Sequence, residues 1–551
     1  MEPLRIIPLG GLGEFGLNMM LIEYGEAALA IDCGLMFPGA DLLGIDLVVP
    51  DVSYLLENKK KLLGIVLTHA HEDHIGALPY ILRQLPVPVF GTRLTLGLLG
   101  NKLREHGLDQ STDLREIRAA QPWEVGPFKL EGISVTHSLM DCVALAVDTP
   151  VGTIIHTGDF KIDNTPVNGE LFDFQRFAAY GERGVLLLLS DSTNVEREGY
   201  TPSEREVGRN LEEIFRNSRG RLFVATFSSN IPRIQQVVEL SERIGRTTVL
   251  SGRSMIHNAQ IASELGYLHL PDGVAVESEQ WRGLARDRIT FLTTGSQGEP
   301  LSALHRIALN DHKSIRIDPG DTVVLSSKFI PGNERAITNL INHLYRRGAE
   351  VHYERVSEIH VSGHASQEEL KTMLRLTRPR YFVPIHGEYR HLVRHIRLAE
   401  AAGVEAENCF LLEDGSVLEL TANGARKAAA VSAGRVFVDG KGVGDVEDVV
   451  IRDRRHLSED GMVLAVMAIH QQTGELVAGP DLISRGFMRA EDSEEVMERA
   501  KKIVLETLRS MNRETRTDPG ELQEEVRKAL RRYFNKTLER RPVVLPFIME
   551  T

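Results

Sequence analysis

Gly64-Ile65-Val66-Leu67-Thr68-His69-Ala70-His71-Glu72-Asp73-His74-Ile75-Gly76 sets an apolar strand directly ahead of an H-x-H-x-D-H pattern, three imidazoles and the Asp73 carboxylate within six positions. Neutral imidazole nitrogens and carboxylate oxygens are borderline-hard donors suited to zinc and its neighbours. A purely structural loop gains nothing from imidazoles close enough to oppose each other's protonation, so His69, His71, Asp73 and His74 read as metal ligands. Further donors recur at the ends of later strand-like runs: His137 after Gly132–Thr136, Asp159 in the turn Thr157-Gly158-Asp159, Asp191 in Ser190-Asp191-Ser192-Thr193-Asn194, and His386 after Tyr381–Ile385. Ligand-type residues at successive strand tips are what a layered α/β enzyme presents along one sheet edge. Lone histidines such as His106, His156, His305 and His395 are read as structural.

His137, Asp159 and His386 complete the set by position. Seven nitrogen and oxygen donors exceed one tetrahedral ion and suit two ions sharing a carboxylate and a water, ~3.5–4 Å apart, an arrangement that generates hydroxide at neutral pH for phosphoryl displacement. With no thiolate among the donors, manganese fits as well as zinc.

The 551 residues exceed a single hydrophobic core, and a prior of roughly 150 residues per domain predicts three or four units. A formal charge of −13 excludes a uniformly basic nucleic-acid binder, although a basic groove on an acidic body still admits RNA or DNA. Cys33, Cys142 and Cys409 are far apart and form no C-x-x-C pair, which argues against a disulfide framework or thiolate zinc site. The N-terminus lacks the regions of a signal peptide, and no apolar run approaches the ~18 residues of a membrane helix. A cytoplasmic protein without membrane attachment is expected.

Gly11-Leu12-Gly13-Glu14-Phe15-Gly16 is a literal G-x-G-x-x-G, with Asp32 about where a ribose-binding acid would stand. A dinucleotide fold needs a crossover helix of at least about 10 residues after the glycines. Here Gly25 closes the segment Asn18–Tyr24 and Ala27–Ile31 is again strand-like, so two short strands joined by a turn are expected. Helices are predicted over 51–61 and 75–85. From about Thr201 the pattern becomes regular strand and helix alternation, read as an inserted α/β domain over 205–360 whose βα turns are ready anion sites. A strand over 352–361, a hairpin of Phe410–Glu413 with Val417–Leu420, a linker over 421–448 and a small α+β domain over 449–551 are expected to follow. The basic stretch 527–541 reads as a solvated helix face.

The sequence resembles the metallo-β-lactamase superfamily and, within it, the β-CASP nucleases of the bacterial ribonuclease J type. The resemblance covers nearly the whole chain. It rests on Thr68–Gly76, His137, Thr157-Gly158-Asp159-Phe160-Lys161, Ser190–Asn194, Ser362-Gly363-His364-Ala365-Ser366, Pro384-Ile385-His386-Gly387-Glu388 and Gly479-Pro480-Asp481-Leu482-Ile483-Ser484-Arg485-Gly486-Phe487. It implies a metallo-β-lactamase αββα sandwich in two parts, 1–204 and 361–420, interrupted by the β-CASP domain. It further implies that His69, His71 and His137 hold one ion and Asp73, His74 and His386 the other, with Asp159 bridging. Asp191 would support the ligands from behind, His364 would meet the scissile phosphate, and Asp73 would handle the proton of the attacking water.

The implied function is a two-metal ribonuclease acting on single-stranded, 5′-monophosphorylated RNA, 5′→3′ from the end and internally, in mRNA turnover and rRNA maturation. The contrasting reading is a catalytically weak structural or RNA-binding subunit of a ribonuclease complex. Ser229, Asn230 and the Ser362–Ser366 loop are the expected substrate contacts, Ser229 and Asn230 serving equally well as helix caps. A homodimer or homotetramer formed through the last domain, and partners in an RNA-degradation complex, are also implied. One departure is visible: Leu17 stands where family members often carry lysine.

Overall fold

The computed structural model describes residues 2–551 apart from 40–41, 59–60, 168, 272–273, 277–278, 331, 355–356, 358, 441, 445–447 and 489. The chain forms two compact units, Met1–Phe37 with Leu47–Val436, and Pro38–Asp46 with Phe437–Thr551.

In the first unit the order of the eight-stranded sheet is Gly424–Ala428, Val417–Thr421, Leu4–Gly10, Met19–Tyr24, Ala27–Ile31, Leu62–Val66, Val89–Gly91 and Leu114–Glu116. A six-stranded sheet runs Tyr381–Ile385, Val185–Asp191, Thr153–His156, Val143–Asp148, Phe128–Ser134 and Trp123–Val125. Ile6, Ile22, Ile31 and Val66 of the first sheet and Leu130, Leu145, Leu187 and Val383 of the second lie in one apolar core, each 1% exposed or less. Burying these side chains supplies on the order of 1.5–3 kcal/mol apiece. This is the sandwich expected from the sequence.

Val185–Asp191 and Tyr381–Ile385 are parallel neighbours, pairing Leu187 with Tyr381 and Asp191 with Ile385. Everything between them in the chain is a detour from this sheet. That detour contains a third sheet of six parallel strands, in the order Ala275–Val276, Thr247–Ser251, Ile289–Thr293, Leu222–Ala225, Thr322–Leu325 and Glu350–His352. Its central strands Ile289–Thr293, Leu222–Ala225 and Thr322–Leu325 are buried at every position and mostly apolar, as expected of a sheet covered on both faces. Helices such as Ile231–Arg243 and Glu334–Arg346 accompany them.

In the second unit, Leu476–Arg485, Met462–Ile469 and Val543–Glu550 form a sheet whose Val463, Ala465, Met467 and Val544 pack on Val504, Val526 and Phe534 of helices Ala490–Ser510 and Pro519–Leu538. Among the described residues no helix is long and apolar enough to cross a membrane.

Several local expectations need correction. Residues 75–85 do not form one helix but sit in two turns, Glu72–Ile75 and Leu78–Ile81, separated at Gly76 with Pro79 opening the second. The helix expected over 51–61 shortens to Ser53–Glu57, and the strand expected over 352–361 is Glu350–His352. Phe410–Glu413 is not a hairpin arm: the Phe410 amide donates to the Phe382 carbonyl at 2.8 Å, and Leu412 enters the core. The hairpin is instead Val417–Thr421 with Gly424–Ala428, so part of the presumed linker is an edge strand. That strand leaves its polar side chains in solvent and carries no apolar alternation to read. Residues 59–60, 355–356, 358, 441 and 445–447 of these expected segments lie outside the described residues.

Candidate metal centre

Strand Leu62–Val66 is almost wholly buried, and the loop after it is pinned by Asp32 from the end of Ala27–Ile31. Asp32 accepts from the Thr68 amide at 2.8 Å and from Thr68 Oγ1 at 2.8 Å, and its Oδ2 lies 2.7 Å from His74 Nδ1. The His71 carbonyl opens the turn Glu72–Ile75 by accepting from the His74 and Ile75 amides, and the turn brings Asp73 and His74 round to the same cavity as His69.

Two donor groups result, and both include Asp159. In the first, His71 Nδ1 lies 3.0 Å from His69 Nε2 and 3.2 Å from His137 Nε2. Donors at 2.0–2.1 Å from a tetrahedral zinc stand about 3.3 Å apart along each edge, so these spacings fit a common ion. In the second, His386 Nε2 lies 3.2 Å from Asp73 Oδ2, and His74 Nε2 lies 3.7 Å from it. Asp159 Oδ2 stands between the groups, 3.3 Å from His74, 3.6 Å from His69 and His386, and 3.9 Å from His137. The donor set is three nitrogens with one carboxylate on one side and two nitrogens with two carboxylates on the other. Both sets fit a borderline-hard divalent ion.

The rings are aimed by bonds to their other nitrogens. Thr68 Oγ1 meets His69 Nδ1 at 3.0 Å, the Gly363 carbonyl accepts from His137 Nδ1 at 2.7 Å, and Thr193 Oγ1 meets His386 Nδ1 at 2.8 Å. Such partners fix the tautomer that leaves the ligating nitrogen free. Gly363 tolerates no side chain here, because a Cβ would stand 2.6 Å from the His137 ring.

Burial and the neighbouring imidazoles hold His69 and His137 well below the usual histidine range, and burial lowers His71 to about 4. These three are neutral and ready to ligate. Burial also acts to lower His386 and His74, but carboxylates, Asp159 foremost, outweigh it and lift His386 to about 9 and His74 well above its ordinary value. The two halves therefore shift in opposite directions. The carboxylate-rich half favours positive charge, which a divalent ion supplies better than protons. Burial pushes Asp73 and Asp159 up, but the facing His74 and His386 outweigh it and keep both below the usual carboxylate range.

His364 borders this cavity, its ring 5.0 Å from His137 and 5.5 Å from His386. Asp191 Oδ2 holds His364 Nδ1 at 2.8 Å and accepts the Thr193 amide through Oδ1 at 2.9 Å. Asp191 thus holds His364 directly, because the strand end carrying it faces the 362–366 loop, and reaches the ligand-type His386 only through Thr193, whose hydroxyl meets His386 Nδ1.

In that loop Ser362 Oγ accepts from the His364 amide, Ala365 is buried, and Ser366 caps helix Gln367–Thr377 in a capping box with Glu369. Asn230 caps helix Ile231–Arg243 by accepting from the Arg233 amide at 3.0 Å, and Ser229 precedes it, half-buried, in the turn.

The residues that sequence reasoning missed are Asp32, Thr68, Thr193 and Asn18, whose amide nitrogen reaches the Asp73 carbonyl at 3.0 Å and His74 Nε2 at 3.2 Å. For Asp32 the available signal was an acid at a strand end one strand before the histidine loop. Asp32→Asn keeps an acceptor for Thr68 but turns an amide N–H toward His74 Nδ1, which reverses the tautomer. Metal affinity, measured by competition with a chromophoric chelator, should fall about 10- to 100-fold.

Comparison with known proteins covers most of the chain. Residues 12–203 match the metallo-beta-lactamase superfamily, 219–344 the ribonuclease J beta-CASP domain, 348–411 the Zn-dependent metallo-hydrolase RNA specificity domain, and 449–551 the ribonuclease J C-terminal domain. The chain is 42% identical to ribonuclease J of Thermus thermophilus, over 100% of this chain and 96% of the relative. It is 40% identical to ribonuclease J2 of Bacillus subtilis, over 100% and 99%, and 41% identical to ribonuclease J of Helicobacter pylori strain J99, over 98% and 78%. A crystal structure of an Enterococcus faecalis protein of unknown function superposes with a TM-score of 0.54 at 16% identity, covering 76% of this chain and 100% of that one, a likeness of fold.

Proposed function

As a member of the ribonuclease J family this chain is a metal-dependent ribonuclease of RNA processing, and we propose that it hydrolyses single-stranded RNA both 5′→3′ from the end and internally. The observation that carries the reading is Asp159 Oδ2 within 3.9 Å of four imidazole nitrogens, with His364 Nδ1 also at 3.9 Å.

In this reading two divalent ions, zinc or alternatively manganese, sit at the two donor groups. His69, His71 and His137 hold one, Asp73, His74 and His386 the other, and Asp159 is shared. When bound, such ions lower the pKa of the attacking water and offset charge building on the phosphate. Asp73 is ionised and partly open to solvent, at 34% side-chain exposure, so it can take the water's proton. With Nδ1 held by Asp191, His364 keeps Nε2 for the phosphate and for protonating the departing oxygen. A 5′-monophosphate is taken by the Ser362–Ser366 loop with Ser229 and Asn230, at a helix N-terminus that favours anions.

The division into a catalytic domain over 1–204 and 361–420, extended by the edge strand Gly424–Ala428, an inserted domain over 205–360, a linker after that strand and a C-terminal domain over 449–551 belongs to the same reading. So does a cytoplasmic location, supported by three free thiols. A homodimer or homotetramer is supported by the C-terminal sheet. Leu545, Phe547 and Met549 project from one face of strand Val543–Glu550 and are 43%, 55% and 44% exposed; Ile483, 47% exposed, is two strands away in the same sheet, across Leu464. A two-fold contact uses the same patch on both copies, and an apolar face complements itself. Mass measured by light scattering should drop to the monomer for Leu545→Asp/Phe547→Asp; an unchanged mass removes this face from the assembly.

The direct test offers 5′-labelled RNA with monophosphate, triphosphate or hydroxyl ends to the purified protein, with and without zinc or manganese. Cleavage lost on chelation and restored by metal supports the enzyme. Binding without turnover supports the scaffold reading.

A further inference from the structure

The glycine-rich segment that imitates a nucleotide-binding fingerprint has a position of its own. Its strand Leu12–Gly13 pairs in parallel with Gly387–Glu388, immediately after His386, and Glu14 bridges to Gly387. Glu14 is held by Arg435 at 2.9 Å, and the Leu12 amide by Asp414 at 3.1 Å. Gly16 turns with φ +99°, where a Cβ would stand 2.9 Å from the Leu35 carbonyl oxygen, and the Leu17 amide donates to that same oxygen at 3.2 Å. Asn18 then ties the segment to Asp73 and His74. The segment is thus fastened to the metal centre from both ends.

Phe15 is carried at its bend. Leu12 and Leu17 on either side are buried at 6% and 0% exposure, and Leu12 belongs to the sandwich core, whereas Phe15 is only half-buried and lies outside that core. Its ring neighbours are imidazoles, His391 at 5.3 Å and the ligand-type His386 at 6.2 Å, both tilted. A fixed, part-exposed aromatic ring beside the ligand-type His386 at the edge of the candidate metal centre is suited to a planar base. Because its backbone is already held, stacking on it orders little else.

We propose that Phe15 is a base-stacking platform that takes the base of the nucleotide flanking the scissile phosphate on the His386 side. The ligand class is any nucleobase, since stacking reads the π-face and not the hydrogen-bonding edge, so the platform positions RNA without selecting sequence. The inference rests on the ribonuclease reading above.

The test is a double-mutant cycle between protein and substrate. Wild type, Phe15→Leu and Phe15→Trp act on 5′-monophosphorylated RNA that is intact or carries one abasic ribose at either nucleotide flanking the cleaved bond, and bound metal is counted for each protein. Leucine keeps apolar bulk against His386 and removes the ring. On intact RNA, Phe15→Leu should lower kcat/KM roughly 5- to 100-fold, while Phe15→Trp stays near wild type. With the abasic ribose on the His386 side, wild type should fall to the level of Phe15→Leu, and the variant should lose nothing more. Equal losses on intact and abasic RNA, no loss on intact RNA, or metal lost from Phe15→Leu each overturn the platform. A wild type that cleaves neither RNA overturns the ribonuclease reading as well.

Discussion

Asp159→Asn is expected to abolish RNA cleavage, a loss on the order of 10³-fold or more, and to deplete both ions at once. One oxygen of Asp159 faces four imidazoles, those of His69, His74, His137 and His386. Asparagine matches the carboxylate in size but brings no charge and turns either a weaker oxygen or an N–H toward nitrogens that need an acceptor of positive charge. His74 and His386, both raised chiefly by Asp159 against the pull of burial, should then become neutral more readily, so the pocket does not accumulate unpaired charge. The fold should therefore survive. Elemental analysis, circular dichroism and turnover of labelled RNA check the three parts. Two ions retained with near-normal turnover would sink the shared-carboxylate assignment.

His364→Ala should have the opposite signature: both ions retained, chemistry slowed roughly 10²- to 10⁴-fold, the range for removing a positioned acid or base. The geometry behind this is the Asp191–His364 pair at 2.8 Å, which occupies Nδ1 and leaves Nε2 to act on the substrate. Asp191→Asn should reproduce much of the effect, since an amide in that place allows the wrong tautomer. The discriminating measurement is metal content alongside single-turnover rate. Because Asp159, Asp191 and His364 also converge closely enough to hold an ion, loss of metal from His364→Ala would make it a ligand instead of a proton donor.

What the sequence disclosed about this site follows from what is local. His69, His71, Asp73 and His74 share one loop, and His137, Asp159 and His386 each end an apolar run, so composition and position were enough to collect them. Asp32 was out of reach because its partner His74 is 42 residues away, and the bond exists only once Ala27–Ile31 and Leu62–Val66 lie side by side. The same limit explains Asp191, whose partner His364 is separated from it by the entire third sheet. In the fold, the strand and helix alternation of the detour was legible because parallel strands buried on both faces are mostly apolar and β-branched. Gly424–Ala428 was not, being an edge strand of small and charged residues, and the 75–85 helix failed because apolar spacing is blind to a break at Gly76.

The parallel pairing of Val185–Asp191 with Tyr381–Ile385 joins segments almost two hundred residues apart in the chain, and His386 follows the second of them directly. A chain growing from its N-terminus carries six of the seven donors long before the last one exists. Such distant closures form late, after the intervening segment has folded. On the proposed two-ion reading the centre is completed by the order of synthesis: a nascent chain whose Ile385 has not yet docked beside Asp191 lacks the seventh donor and is expected to leave the RNA near it uncut, including the message from which it is being made.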